Sequence, residues 1–503
     1  MSPDETDLSM NSPSPIGLTA HDVRVADDLL SLGWPAKPWM PATTHDGQTV
    51  HDVIVVGAGQ AGLALAFGLA QQGIAALLLD RAPAGFEGPW ATTARMETLR
   101  SPKELTGPAM GVPALTFRAW FIAQHGQAAW DDLGKIPRLQ WMDYLRWLRR
   151  VTHAQVRNGC EVTDVQPQGE ARVALQVSQR QPDGSQVQAQ FLARRVVLAT
   201  GRDGLGGPSV PAFVRDVPRT RWAHSSDAMD YASLRGRRVA VVGAGSSAMD
   251  CAATALEHGA ASVDLLIRRA DIPRINKSKA SGVPGLTQGH YDLPDAWKWR
   301  IRHYINAQQV PPPQGSTLRV ARHPNAYFNQ NCAVTSVQES AGAEGGASQL
   351  EIHTTQGVFE ADFLVVSTGF QMDWAQKPEY ATIAPHVRLW RARRPADADE
   401  ADAELDGSPD LGPAFEFQQN TPGTCPGLGR IHCFCYPATL SFGSIAGDIP
   451  SISDGARRLA GALASLFYRE DIEVHWARLQ AYADPELTGQ EWTPADSSLR
   501  VRR

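Results

Sequence analysis

Two short stretches carry residue types at spacings that can do chemistry. Gly57, Gly59 and Gly62 form a G-x-G-x-x-G run directly after the strand-like His51–Val56, and Gly243, Gly245 and Ala248 repeat the pattern after "RRVAVV". The first glycine permits a tight turn. The second lets a pyrophosphate approach the backbone, and the third position needs only a small residue so that helix and strand can pack closely. The free N–H groups and positive end of the following helix then face the phosphates. Gln60 adds an amide beside the first turn, and Ser246 and Ser247 place two hydroxyls at the second.

The strand ends beyond the two turns differ. Asp80 ends the next strand 23 residues after Gly57, with Arg81 beside it. A carboxylate there accepts hydrogen bonds from ribose hydroxyls and repels a 2′-phosphate, which suits the adenosine half of FAD or NAD. The second unit ends in Arg268 and Arg269, 25 and 26 residues after Gly243, with no acid. Guanidinium groups there can pair with a 2′-phosphate, which points to NADPH. A glycine turn without ligand and a solvated basic strand end are the competing readings. FAD and NADPH are the economical pair, because NADPH reduces a flavin that performs the next step.

The elements that must position these groups are two βαβ units, so the expected fold is α/β with two dinucleotide-binding Rossmann-like domains, the NADPH domain inserted within the FAD domain. The expected boundaries are an N-terminal arm (1–45), the first part of the FAD domain (46–205), the NADPH domain with a substrate-lining segment (206–355), the second part of the FAD domain (356–475) and a tail (476–503). Residues 395–413, "PADADEADAELDGSPDLGP", read as a solvated acidic insert. In "RLQWMDYLRWLRR", Leu139, Met142, Leu145 and Leu148 are spaced for a packed helix face.

Composition narrows the function class. The 503 residues carry a formal net charge of −6, with 43% hydrophobic residues, and give no general reason to expect nucleic acid or an anionic membrane. The start has neither the basic nor the apolar region of a signal peptide, and the apolar run after Asp52 is broken by Gly and Gln, so a cytoplasmic protein is expected. The six cysteines show no metal-ligand spacing, and no metal is expected. Cys433 and Cys435 have only Phe434 between them, and on a strand both point the same way, which reads as buried structure. Large loops and many aromatics suggest a homo-oligomer.

Taken together, "GAGQAG", "GPW" at Gly88–Trp90, "LATG" ending at Thr200 and Gly201, "GAGSSAMD", "VVSTGF" with Thr368 and Gly369, and "GDIP" with the "DG" after it, at Asp448 and Gly455, resemble the class B flavoprotein monooxygenases over roughly residues 50–470. That group includes the flavin-containing monooxygenases, the Baeyer–Villiger monooxygenases and the microbial N-hydroxylases. "SPKELTG" and "PRLQWMDYLRWL" look most like the N-hydroxylating branch. The counterpart of the Baeyer–Villiger fingerprint, "PRTRWAHSSDAMD", keeps His224 but has Pro218, Thr220 and Ala228 in place of the expected residues, which argues against ketone insertion.

The resemblance implies an NADPH- and O2-dependent enzyme that forms a flavin hydroperoxide and transfers one oxygen atom to a small molecule, by N-hydroxylation or S-oxygenation. It needs dry walls and positioned donors more than a dedicated acid–base pair. On it, Trp90 packs near the isoalloxazine, Lys103 meets NADP+ or a substrate carboxylate, His224 anchors the interdomain linker and helps position NADPH, and Asn329, with Gln330, lines the substrate pocket. Gly88, Thr200, Gly201, Thr368, Gly369, Asp448 and Gly455 join the cofactor sites. Arg100 and Arg118 hint at an anionic substrate. A Baeyer–Villiger enzyme, an electron-transfer reductase without oxygen insertion and a non-catalytic nucleotide sensor are the alternatives.

Overall fold

The chain is described by a computed structural model over residues 16–340, 348–394 and 402–495. Its first sheet is built around Gln48–Val56, whose Val53, Ile54 and Val55 are fully buried. A run apolar on both faces is what a sheet covered on both sides demands. This strand pairs in parallel with Ala76–Leu79 on one side and Gln186–Leu198 on the other. Gln186–Leu198 serves two further partners: its early part runs antiparallel to Arg172–Arg180, and Val196–Leu198 pairs in parallel with Ile431–Cys433. The helix Gln60–Gln71 springs from the first glycine turn and packs against the long helix Ile452–Glu470. Gly455, near the start of that long helix, lies against the turn Gly443–Ala446, where a Cβ would be 2.1 Å from the Ile445 carbonyl oxygen.

The second sheet has five parallel strands in the order Ala326–Asn329, Ser262–Leu266, Arg238–Val242, Phe363–Val366, Trp222–His224. All of them fall in the chain between Leu198 and Ile431 of the first sheet. Two short strands, Gly207–Pro208 and Phe370–Gln371, pair antiparallel where the chain leaves and returns. The strand Phe363–Val366, "FLVV", therefore lies inside the second sheet. The expected boundary at 355/356 moves to about Gln371, because an apolar strand of that length is satisfied by Arg238–Val242 and Trp222–His224 on its two sides.

Three other expectations are corrected. The short helix expected at "TAHDVRVADDLLSLG" forms over Leu18–Ser31, but the arm is not loose there, since the helix docks on the first unit: buried His21 bonds the Ala114 carbonyl, and Trp147 Nε1 donates to Asp22. Within the expected loose arm, then, only residues 1–15 lie outside the described chain. The acidic stretch is described from residue 402 onward, and there it is packed: Leu405 is buried, and Asp410 accepts from both Arg388 and Arg393. Counting charges missed that these acids have arginine partners. In the expected tail, Ile472–Ala481 is a further helix. The helix Arg138–Val151 buries Met142, Leu145 and Leu148 as expected, but Leu139 is exposed, and Trp141, Tyr144 and Trp147 complete the inner face. Cys433 and Cys435 are buried side by side with sulfurs 3.5 Å apart. Among the described residues no helix is long and apolar enough to cross a membrane.

One buried acid makes stability pH-dependent. Asp52 sits in the central strand, and burial pushes its carboxyl up to about 6, while Arg194 pulls the other way and Asp471 adds to the rise. A raised carboxyl binds more protons folded than unfolded between about pH 4 and 6, so stability falls as pH rises through that window and the penalty is fully present above it. The shift corresponds to at most about 3 kcal/mol, and solvent contact lowers this to about 1–2 kcal/mol. Asp52→Asn is expected to raise the free energy of unfolding at pH 8 by that amount and to leave it nearly unchanged at pH 3.5. Equal effects at both pH values would contradict this account.

Candidate active site

The first cradle forms where the carboxyl ends of Gln48–Val56, Ala76–Leu79 and Gln186–Leu198 meet. Gly57 has φ +103°, and a Cβ would lie 2.5 Å from the Ala199 carbonyl oxygen, so glycine is required on two counts. At Gly62 a Cβ would meet the Gly57 carbonyl oxygen at 2.1 Å. Gly59 is different: its φ is −69° and nothing lies within 4 Å of an added Cβ. Its missing side chain leaves space that the protein does not fill. The space opens into a cavity of about 510 Å³ lined by Ala58, Gly59, Glu87, Arg146, Arg149 and Gln155, among others. Gln60 Oε1, at the start of the helix after Gly59, is buried without a partner. Asp80 is fixed at the edge of the turn, accepting from the N–H groups of Ala58 and Ala82 at 2.8 Å each. Burial pushes its carboxyl up, and those two bonds pull it back. Each oxygen keeps a lone pair for a ribose hydroxyl. The open space at Gly59, the unpartnered amide and the oriented acid fit a dinucleotide. Arg81 is exposed beside them.

The second cradle repeats the geometry. Gly243 has φ +121°, and its Cβ would lie 2.8 Å from the Ser367 carbonyl oxygen, whereas Gly245 again has open space. The helix Ser246–Glu257 begins there, with Ser246 and Ser247 in its first turn and Ala248 buried. Arg268 is exposed and Arg269 half-buried, just beyond Ser262–Leu266, and neither guanidinium takes part in an ion pair or hydrogen bond among the described residues. Asp80 has no counterpart at this strand end.

Between the cradles the two units meet through charged side chains. Arg100 of the first unit approaches buried Asp250 of the second at 3.7 Å, and Ser316 Oγ donates to the same carboxylate at 2.6 Å. Thr200 and Gly201 lead out of the first sheet into Arg202, whose guanidinium lies 3.6 Å over the Tyr436 ring. Arg302 Nη2 donates to the Tyr436 hydroxyl at 2.9 Å, and that hydroxyl faces Glu404 Oε1 at 3.3 Å. Asp448 touches solvent, yet protein crowds it enough that burial pushes its carboxyl up against the opposing pull of Arg302 and Arg202. Arg202, Tyr436 and Arg302 did not figure among the expected site residues. Arg202 was within reach, since it directly follows Thr200–Gly201; the other two converge on it only through the fold.

Several expected residues take other places. Lys103 Nζ donates to the carbonyls of Trp130 and Asp131 at 2.7 and 3.1 Å and lies over the Trp130 ring. It caps the end of the helix Phe117–Asp132, where a cation meets free carbonyls. Lys103→Met is therefore expected to cost about 1 kcal/mol of stability and to leave the substrate KM within about twofold; a large KM rise at unchanged stability would restore the ligand role. Arg118 lies near the same Trp130 ring. Asn329 closes the strand Ala326–Asn329 and donates to Asp264 on the neighbouring strand at 3.1 Å. It stands at the edge of the second sheet near Arg268, and Gln330 engages Gln356 through its carbonyl. His224 is buried at the end of Trp222–His224, bonded to Ser226 and against the Phe370 ring, and burial lowers its pKa, so it stays neutral at pH 7. Its ring thus stands beside Phe370, where the chain returns towards the first sheet. Trp90 is half-buried on the first core, with its carbonyl held by Arg138. Gly88 has φ +79° just before it. Thr368 bonds Ser209 and, with Gly369, holds the second crossing segment.

Known proteins share this arrangement. Residues 54–203 match the FAD-NAD(P)-binding family, and residues 131–309 match the family described as L-lysine 6-monooxygenase/L-ornithine 5-monooxygenase. A protein of Xanthomonas campestris pv. campestris, "FAD-dependent urate hydroxylase", is 36% identical over 468 residues, 92% of this chain and 96% of that protein. In structure the chain is similar to the ornithine hydroxylase PvdA from Pseudomonas aeruginosa, with a TM-score of 0.61, 19% identity and coverage of 83% and 99%. The Kutzneria sp. 744 ornithine N-hydroxylase gives 0.62 and 17%, with the same coverage. The chain belongs to the class B flavoprotein monooxygenases, in the group of FAD-dependent hydroxylases. It is an FAD- and NADPH-dependent monooxygenase, and the N-hydroxylating branch suggested by its sequence is the one whose family description it matches.

Proposed function

We propose that this monooxygenase hydroxylates a small, nitrogen-rich anion of the urate type. The 36% identity to a urate hydroxylase over 92% of the chain carries this reading. On it, the first cradle holds FAD through Gly57, Gly59, Gln60, Gly62 and Asp80. The second, an inserted NADPH domain, holds the pyrophosphate at Gly245, Ser246 and Ser247 and the 2′-phosphate at Arg268 and Arg269. Bound flavin would supply hydride acceptance and oxygen activation. The chain supplies the rest. The helix Gln60–Gln71 offers N–H groups to phosphate, and Arg100 and Asp250 join the two units. The overall reaction consumes substrate, O2, NADPH and a proton and yields hydroxylated substrate, NADP+ and water; NADPH provides two electrons and the substrate two.

Hydroxylation of an amine nitrogen, as on ornithine or lysine, is the second reading, favoured by the family match over residues 131–309. Incubation of holoenzyme with NADPH, isotopically heavy O2 and urate, L-ornithine or L-lysine separates the two. Label in urate supports the first. Label in ornithine or lysine, with urate releasing only hydrogen peroxide, replaces it with the second.

A further inference from the structure

Of the arginines where the two units meet, two have no ion pair among the described residues. Arg100 has Asp250 and Arg319 has Glu257. Arg202 has no ion-pair partner among the described residues; it rests on Tyr436 and approaches Asp448 without bridging it. Arg302 spends one nitrogen on the Tyr436 hydroxyl, and its Nε is buried without a partner. Asn306, one turn further along the same helix Asp295–Gln308, has its Nδ2 buried without a partner as well. Buried donors are normally satisfied, and two on one helix face beside an unpaired guanidinium ask for an acceptor from outside the chain. Their position supports this. Arg202 follows the strand Gln186–Leu198, and the Tyr436 N–H donates to the Gly201 carbonyl at 3.2 Å, so the group stands at the carboxyl edge of the sheet that bears the first glycine turn. Ligands of open α/β sheets bind at that edge.

Resting on the proposed function, we infer that Arg202, held on the Tyr436 ring and backed by Arg302, receives the anionic group of the substrate at this edge of the first sheet, with Asp448 accepting from the substrate's N–H groups. A guanidinium offers paired donors to a delocalised anion, and a carboxylate across from it selects a ligand that also donates. Both the urate ring and the carboxylate end of an amino acid present an anion, so substrates from either source test the assignment.

The test uses full-length holoenzyme with Arg202→Gln, Arg202→Lys and Tyr436→Phe. KM is measured for urate and for NADPH, together with the rate of NADPH-driven flavin reduction without substrate. For Arg202→Gln we expect the urate KM to rise by roughly 30-fold, the loss of one charge-assisted contact, with NADPH KM and flavin reduction within about twofold. Arg202→Lys should recover part of the loss, and Tyr436→Phe should fall between. An unchanged urate KM, or a loss confined to NADPH KM, overturns the inference. If the wild type converts L-ornithine and not urate, the substrate reading fails by itself, and the same comparison is then made on the ornithine KM, where an unchanged value overturns the inference. A wild type that converts only a cation such as cadaverine overturns both.

Discussion

Reversing the charge at both Arg268 and Arg269 is expected to cut kcat/KM for NADPH by roughly 100-fold or more while changing that for NADH by less than about fivefold. The two guanidiniums stand unpaired just past the strand Ser262–Leu266, so the native fold spends nothing on holding them. A charge-assisted hydrogen bond contributes about 1.5–3 kcal/mol, and two of them acting on one phosphate account for the loss even with solvent screening. Arg268→Glu/Arg269→Glu also places acid near ribose hydroxyls, as Asp80 does in the first cradle, so NADH retains or gains contacts. Stopped-flow reduction of the flavin by each nucleotide gives both values in one preparation. Parallel losses with NADH and NADPH would show that the arginines support the fold and do not read the phosphate.

The two glycine turns were legible because their requirements are local. The positive φ at Gly57 and Gly243 and the approach of Gly62 to the Gly57 carbonyl arise where a strand, turn and helix meet within a dozen residues, while the carbonyls of Ala199 and Ser367, which also exclude a Cβ, come from neighbouring strand ends. The strand-end residues Asp80, Arg268 and Arg269 were legible for the same reason. Lys103 and Asn329 were not, because their partners come from elsewhere in the fold: Lys103 spans to Trp130, and Asn329 meets Asp264 only after parallel pairing sets the register. The same nonlocality hid Arg202, Tyr436 and Arg302, which belong to three separated segments and meet at one hydroxyl and one ring. The strand Phe363–Val366 shows a further limit. Its apolar pattern announces a buried strand, but nothing in that pattern says which of two sheets it joins.

Gly59→Val separates the need for a cofactor from the need for a fold, and it is expected to give folded, colourless protein. Three glycines share the first turn, yet they do different work. A Cβ at Gly57 or Gly62 collides with backbone that cannot move without opening the sheet, so substitution there damages the apoprotein. At Gly59 the backbone is extended and an added Cβ meets nothing, so valine costs the apoprotein little. Its two methyl groups would occupy the space beside the helix N-terminus that the pyrophosphate needs. FAD affinity is expected to fall by roughly 1000-fold, about 4 kcal/mol, with the far-ultraviolet spectrum unchanged and the denaturation midpoint equal to that of wild-type protein stripped of flavin. Gly245→Val, equally open, should instead leave the protein yellow and abolish its reduction by NADPH. If Gly59→Val retained flavin, the first cradle would not be where the cofactor's phosphates lie, and the division of the two cradles between FAD and NADPH would fail with it.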